Sequence, residues 1–258
     1  MLTEVDSAKS KLLRAREHFS AIREHIRGYT ASEPYKVITE PNGEETLHVT
    51  EQPPSDIAIL AGEIVYQLRS ALDHLAFGLV KLNRTGISLP LGWEQDCEFP
   101  LRFELPKRVT KPPVPQTYFT KVLPGITRSA FTFIESVQPY RRHGAANALR
   151  ILASLSNVDK HRHLNVTVPQ VVHHEVLRTA HGSVAVSRGG LKHGAEIKPR
   201  VPPQPYPTVD LKRSFAAYVT FDEPTVGDAA TLEVEHVLQV CFEQIETVII
   251  PTFEQLLK

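Results

Sequence analysis

Arg69, Ser70, Asp73 and His74 sit together in the segment Arg69-Ser-Ala-Leu-Asp-His74, inside a nearly all-apolar run over residues 57–81. Charged groups on a helix with so little water-facing surface must be paired, hydrogen-bonded or used, because stripping them of water is costly. A second polar cluster, Asn157-Val-Asp-Lys-His-Arg-His163, follows another apolar stretch. If the helix continues through that cluster, Asn157 and His161 share a face, and Asn157, Lys160 and His161 would join Arg69 and His74 around one phosphate. The same residues admit a purely architectural role. Arg69 and Asp73, four residues apart, would form an ion pair on one flank of the helix while Glu63, Gln67, Ser70 and His74 line the other. Lys160, His161 and Arg162 would complement the free carbonyls and dipole of a helix C-terminus.

Metal chemistry is the competing reading. Glu63, Asp73, His74, Asp159, His161 and His163 are hard or borderline ligands, and Glu233-Val-Glu-His236 has the step of half a carboxylate di-metal site. The matching half is absent, as are His-Glu-x-x-His and a cysteine ligand set, so no metal or other cofactor is expected. Val172-His-His-Glu175 reads as part of a strand. The sequence also has no P-loop, no Gly-x-Gly-x-x-Gly and no nucleophile elbow, which removes nucleotide and serine hydrolysis as sequence-supported ideas.

The elements that must position these residues follow from periodicity. Leu12, Leu13, Phe19, Ile22 and Ile26 recur at helical spacing over residues 5–26. The alternating segments 35–39 and 45–50 flank Pro41-Asn-Gly43, a hairpin signal. Pro53-Pro-Ser-Asp56 breaks the chain and caps a second helix running to about residue 82. Ile57, Leu60, Ile64, Leu68, Ala71, Leu72, Leu75 and Leu79 share one broad face of it. Ile59, Tyr66 and Phe77 lie on the far side, so both sides are expected to be covered, by the fold or by a second copy. Prolines over residues 83–120 imply an extended connection. Residues 126–137 and 145–158 read as two more helices, and segments 164–168, 171–177, 182–187 and 215–221 as antiparallel strands. A last helix spans residues 233–257, kinked or interrupted at Pro251.

With 258 residues, 41% hydrophobic and 22% charged, the chain can bury a full core. It is expected to form one α+β domain, with a helical bundle from residues 1–28, 54–83, 124–160 and 232–257 and a strand-rich insertion over 163–222. No signal-like or membrane-length apolar run occurs, so a cytoplasmic protein without a membrane partner is expected. Cys97 and Cys241 are read as free thiols. The net charge is zero, but residues 141–213 carry 12 Lys/Arg against 4 Asp/Glu while 214–258 carry 1 against 8. The basic block either meets phosphates or faces the acidic segment within the fold; internal pairing is the expectation.

The spacing in Arg69-Ser-Ala-Leu-Asp-His74 resembles the Arg-x4-6-His motif of the HEPN superfamily, small helical proteins many of which are metal-independent endoribonucleases of toxin-antitoxin and defence systems. The resemblance implies a homodimer through the second helix, with the motif's arginine and histidine converging at the interface. Arg69 would then stabilise the phosphate and His74 act in proton transfer, oriented by Ser70 or Asp73, as the RNA 2′-hydroxyl attacks. The larger polar residue that often follows the family's arginine is Ser70 here. Segments 67–75 and 155–162 also resemble those of a bacterial protein family to which no activity is attached. The expectation is therefore an α+β protein with a HEPN-like helical bundle, a β-hairpin insertion and a further antiparallel sheet. Its expected function is metal-independent RNA cleavage, with Arg69, His74 and Asp73 catalytic and Ser70, Asn157, Lys160 and His161 binding. The alternatives are a non-catalytic helical dimer that binds a nucleotide, phosphate or protein partner, and a metal-dependent hydrolase.

Overall fold

The structure, a computed structural model, describes residues 3–39, 41–42, 44–83, 89, 91–103, 119, 121–141, 147–168, 171–179, 182–191, 195–196, 210–222 and 232–257, with the backbone alone over 171–215. Helix α1 (Glu4–Ala31) begins at a capping box: the Thr3 side chain accepts from the Asp6 amide, and the Asp6 carboxylate accepts from the Thr3 amide. Its buried residues Ala8, Leu12, Ala15, Phe19 and Ile22 recur at three- and four-residue steps, the stripe an amphipathic helix needs. Helix α2 (Ser55–Asn83) runs antiparallel to it. The order of contacts shows this, since Glu4 meets Lys81, Ser7 meets His74, Lys11 lies over Tyr66, and His25 faces Asp56.

Helix α2 is the core of the molecule. Ile57, Ile64, Leu68, Leu72 and Leu75 have no exposed surface, and each such side chain contributes about 1.5–3 kcal/mol of burial. The expected far-side cover is partial. Phe77 stacks on Trp93 with centroids 5.1 Å apart, whereas Ile59 and Tyr66 stay 47% and 58% exposed. Trp93 belongs to a one-turn helix α3 (Trp93–Asp96) inside the stretch expected to be an extended connection without continuous regular structure.

Helices α4 (Arg128–Ser136) and α5 (Ala148–Asp159) begin at Thr127 and Asn147, whose side chains accept from the Ala130 and Arg150 amides. Between them, Pro139–Arg141 forms one 3-10 turn. Helix α5 packs on α2 at Gly62, where a Cβ would stand 2.4 Å from Asp159 Oδ1. Helix α6 (Val234–Gln244) crosses α1 through an edge-to-face Phe19–Phe242 pair, centroids 5.7 Å apart. It continues as a π turn (Ile245–Ile249) into helix α7 (Ile250–Leu256). Pro251, which has no amide hydrogen to give an interior turn, sits two residues past the π turn, at the interruption expected there.

The strands make small antiparallel sheets. Strands β1 (Tyr35–Thr39) and β2 (Glu45–Val49) form the expected hairpin, in register from Tyr35↔Val49 to Thr39↔Glu45. Strand β6 (Ala195–Glu196) adds to β2, a long-range pairing with no local signal. Strands β3 (Val166–Thr167) and β8 (Thr220–Phe221) form a pair, and β4 (Val171–Thr179) lies between β5 (Gly182–Leu191) and β7 (Asp210–Ala217). The segment read as one strand over 215–221 is thus split between two sheets at Tyr218 and Val219.

The protein is an α+β fold in which a helical bundle carries these sheets. No helix among the described residues is long and apolar enough to cross a membrane. The acidic C-terminal helices pair with α1, through Arg23–Glu235 at 2.6 Å, Arg16–Glu246 and Lys9–Glu254. These contacts give the acidic face basic partners on the first helix; the expected pairing with the basic block 141–213 falls mostly on side chains outside the described residues.

Candidate functional site

Arg69 is the anchor of the site. Its side chain is 12% exposed, and one guanidinium nitrogen, Nη2, pairs with Asp73 Oδ1 at 3.1 Å and Glu98 at 3.6 Å. The other, Nη1, is buried and has no hydrogen-bond partner among the described residues. Guanidinium donors are seldom left unmet, since each buried one costs about 1–3 kcal/mol or more. Arg69 forms one wall of an open cleft of about 490 Å³, lined also by Glu98, Leu101, Arg102, Phe103, Ala153, Ser156, Asn157 and Lys160. The lining holds three cations against one carboxylate, which favours an anion in the space between α2, α5 and the 97–103 segment.

That segment is tied down at both ends. The Phe99 amide donates to Asp73 Oδ1 at 2.8 Å. Further along, the fully buried Gln138 accepts from the Arg102 amide at 3.0 Å and donates to the carbonyls of Pro100 at 2.8 Å and Ile134 at 3.0 Å. Asp73 therefore does two jobs, and burial raises its pKa from the ordinary aspartate value despite the Arg69 guanidinium and the Phe99 amide, which both oppose the rise. Sequence reasoning passed over Gln138, Glu98, Arg102 and Phe103, because their contacts are long-range and no local pattern marks them.

The anticipated residues separate into two groups. Asn157 and Lys160 line the cleft with Arg69. His161 does not, because α5 ends at Asp159 and the chain leaves the helical course that would have stacked His161 over Asn157. Neither does His74. Five residues at about 100° each leave it roughly 140° around α2 from Arg69. It lines a different pocket, of about 430 Å³, with Thr3, Glu4, Ser7, Asp73, Phe77 and Cys97. There its Nδ1 lies 2.7 Å from the Ser7 hydroxyl, tying α2 to α1. Burial lowers the His74 pKa, with Lys11 adding to the effect, so the ring is neutral at pH 7. Burial pushes the Cys97 thiol up to about 12, leaving it protonated and a poor nucleophile. Asp73 lines the His74 pocket while its carboxylate pairs with Arg69 of the cleft, and Ser70 lines neither.

Asp159 abuts Gly62, and its pKa is raised by burial and then by Glu63 nearby. No group of three His, Cys, Asp or Glu side chains among the described residues is placed to hold a metal. Fold and cleft together define an α+β helical-bundle protein with a cationic, partly apolar cleft on one flank of its central helix. No protein-family model, curated protein or solved structure matches the chain.

Proposed function

We propose that the chain is a binding protein for a phosphate-bearing ligand, held in the cleft by Arg69 with Arg102 and Lys160. The observation that carries this reading is the buried Nη1 of Arg69, a charged donor with no hydrogen-bond partner among the described residues at the wall of a cleft that contains two more cations. A phosphate oxygen would meet it, and the planar guanidinium suits such an oxyanion better than an ammonium does. Asn157 would add a neutral donor. The test is calorimetric titration with pyrophosphate. Saturable binding that falls at least tenfold in Arg69→Gln, in a variant with an unchanged melting curve, is the expected result; equal affinity in Arg69→Gln would sink the reading.

A cutting version of the same site is the second reading: metal-independent RNA cleavage by a HEPN-like homodimer with Arg69 and His74 catalytic. What favours it is a neutral His74, able to accept a proton, on the same helix as the arginine. It needs a second copy to bring an imidazole to the phosphate, since within one chain the two side chains line different pockets. Mixed RNA incubated in excess EDTA would then yield 2′,3′-cyclic phosphate ends, lost in His74→Ala. Intact RNA with a folded protein leaves binding as the activity.

A further inference from the structure

The phosphate site has an aromatic neighbour that phosphate alone does not require. Phe103 is 39% exposed yet belongs to the wall of the Arg69 cleft, which Leu101, Asn157 of α5 and the α5 cap residue Lys160 also line. The Arg150 guanidinium lies over its ring, 5.4 Å from the centroid, which props the ring from one side while leaving it substantially open. The backbone that presents it is fixed by the Gln138 bond to the Arg102 amide, one residue away. A partly exposed phenylalanine next to an anchored backbone amide and beside three cations is an arrangement that suits base stacking while phosphates meet arginine and lysine.

We infer that the cleft recognises a nucleoside monophosphate unit, either free or as one residue of a single strand, with the base stacked on Phe103 and the phosphate on Arg69. This rests on the phosphate-binding reading and deepens it by adding the base. The apolar part of the wall, Leu101 and Phe103, has no use in holding inorganic phosphate, and a volume of about 490 Å³ suits a small organic ligand better than a bare anion. Stacking does not discriminate strongly among bases, because every base offers a π face, so the inference is of a nucleotide class and not of one base.

The experiment measures binding of AMP, ribose 5-phosphate and a short single-stranded oligoadenylate to the full chain, in parallel with Phe103→Ala and Phe103→Trp. The expected result is AMP at least tenfold tighter than ribose 5-phosphate, that margin lost in Phe103→Ala and kept in Phe103→Trp, and ribose 5-phosphate affinity the same in all three proteins. Oligoadenylate tighter than AMP assigns the site to single strands, and the reverse order assigns it to free nucleotide; both support the base-and-phosphate site. Equal affinity for AMP and ribose 5-phosphate, or an AMP margin untouched by Phe103→Ala, overturns the inference and leaves phosphate binding standing. If none of the three ligands binds, both readings fall together. If the alanine variant unfolds, Phe103→Trp still decides: AMP, but not ribose 5-phosphate, is expected to quench the added indole fluorescence beyond any change in the native chain, and no such quenching overturns the inference.

Discussion

Gln138 offers the sharpest check on how the cleft is held. It is fully buried and makes three hydrogen bonds, one accepted from the Arg102 amide and two donated to the carbonyls of Pro100 and Ile134. Gln138→Leu keeps much of the bulk and removes all three, leaving an amide and two carbonyls short of partners in a site closed to water. At about 1 kcal/mol for each lost bond, plus about 1–3 kcal/mol for a group left unsatisfied, the loss is roughly 4–6 kcal/mol. At roughly 2–4 °C per kcal/mol for a chain of this size, the melting midpoint falls by about 8 °C or more. Gln138→Glu is the finer probe. It keeps an oxygen for the Arg102 amide but sets the second oxygen against two carbonyls, so it is expected to destabilise at least as much as the leucine. Urea denaturation followed by circular dichroism reads both, with a shifted midpoint at unchanged slope marking a stability effect. Losses under about 1 kcal/mol in both variants would show that Gln138 does not pin the 97–103 segment.

Three further outcomes follow from the same contacts. The raised pKa of Asp73 means the folded chain holds that proton more tightly than the unfolded one; its stabilising contribution is full below the unfolded value of about 3.9 and is lost as pH rises through the folded value. Asp73→Asn should remove that part of the stability–pH slope, and an unchanged slope above about pH 4 in denaturation series would count against it. Gly62→Ala should destabilise the native protein but gain about 1 kcal/mol in an Asp159→Ala background, where the helix preference for alanine is no longer opposed by a contact at 2.4 Å; equal effects in the two backgrounds would refute that contact. Leu72→Ala, at a site with no exposed surface, should cost about 2–5 kcal/mol while Tyr66→Ala, over half exposed, stays under about 1 kcal/mol, as thermal melts would show.

Where the chain's signals are local, they were legible. The period of Ile57, Ile64, Leu68, Leu72 and Leu75 marked the central helix, and the Asn42-Gly43 signal marked the β1–β2 hairpin, because both depend on neighbours a few residues away. The Arg69–Asp73 pair was visible for the same reason, as an i, i+4 step on one helix. Strand β6 joining β2 and Gln138 gripping Pro100 were not, since each links residues far apart in sequence. Helix α3 is a single turn among prolines and is too short to show a period. The site was half legible. Asn157 and Lys160 reached the cleft, while the end of α5 removed His161 and the angle around α2 sent His74 to the other pocket.

The π turn at Ile245–Ile249 also explains how one seam runs the length of the C-terminal arm. Val237, Cys241, Ile245, Ile249 and Phe253 are all buried, spaced by four residues throughout. An unbroken α-helix advances about 400° over four residues, so such a row would wander roughly 160° around the cylinder by Phe253. A wider turn in the middle takes back part of that drift, as a change in residues per turn must when a hydrophobic row departs from the natural helical repeat. The turn works as a phase corrector: one residue's worth of slack, placed just before Pro251, returns Ile249 and Phe253 to the side facing the core. Removing one residue there would regularise the winding and leave everything beyond it on its present face, whereas regular α winding of the full-length arm would swing that part by about 100°, so the register of the last helix is written in a local irregularity.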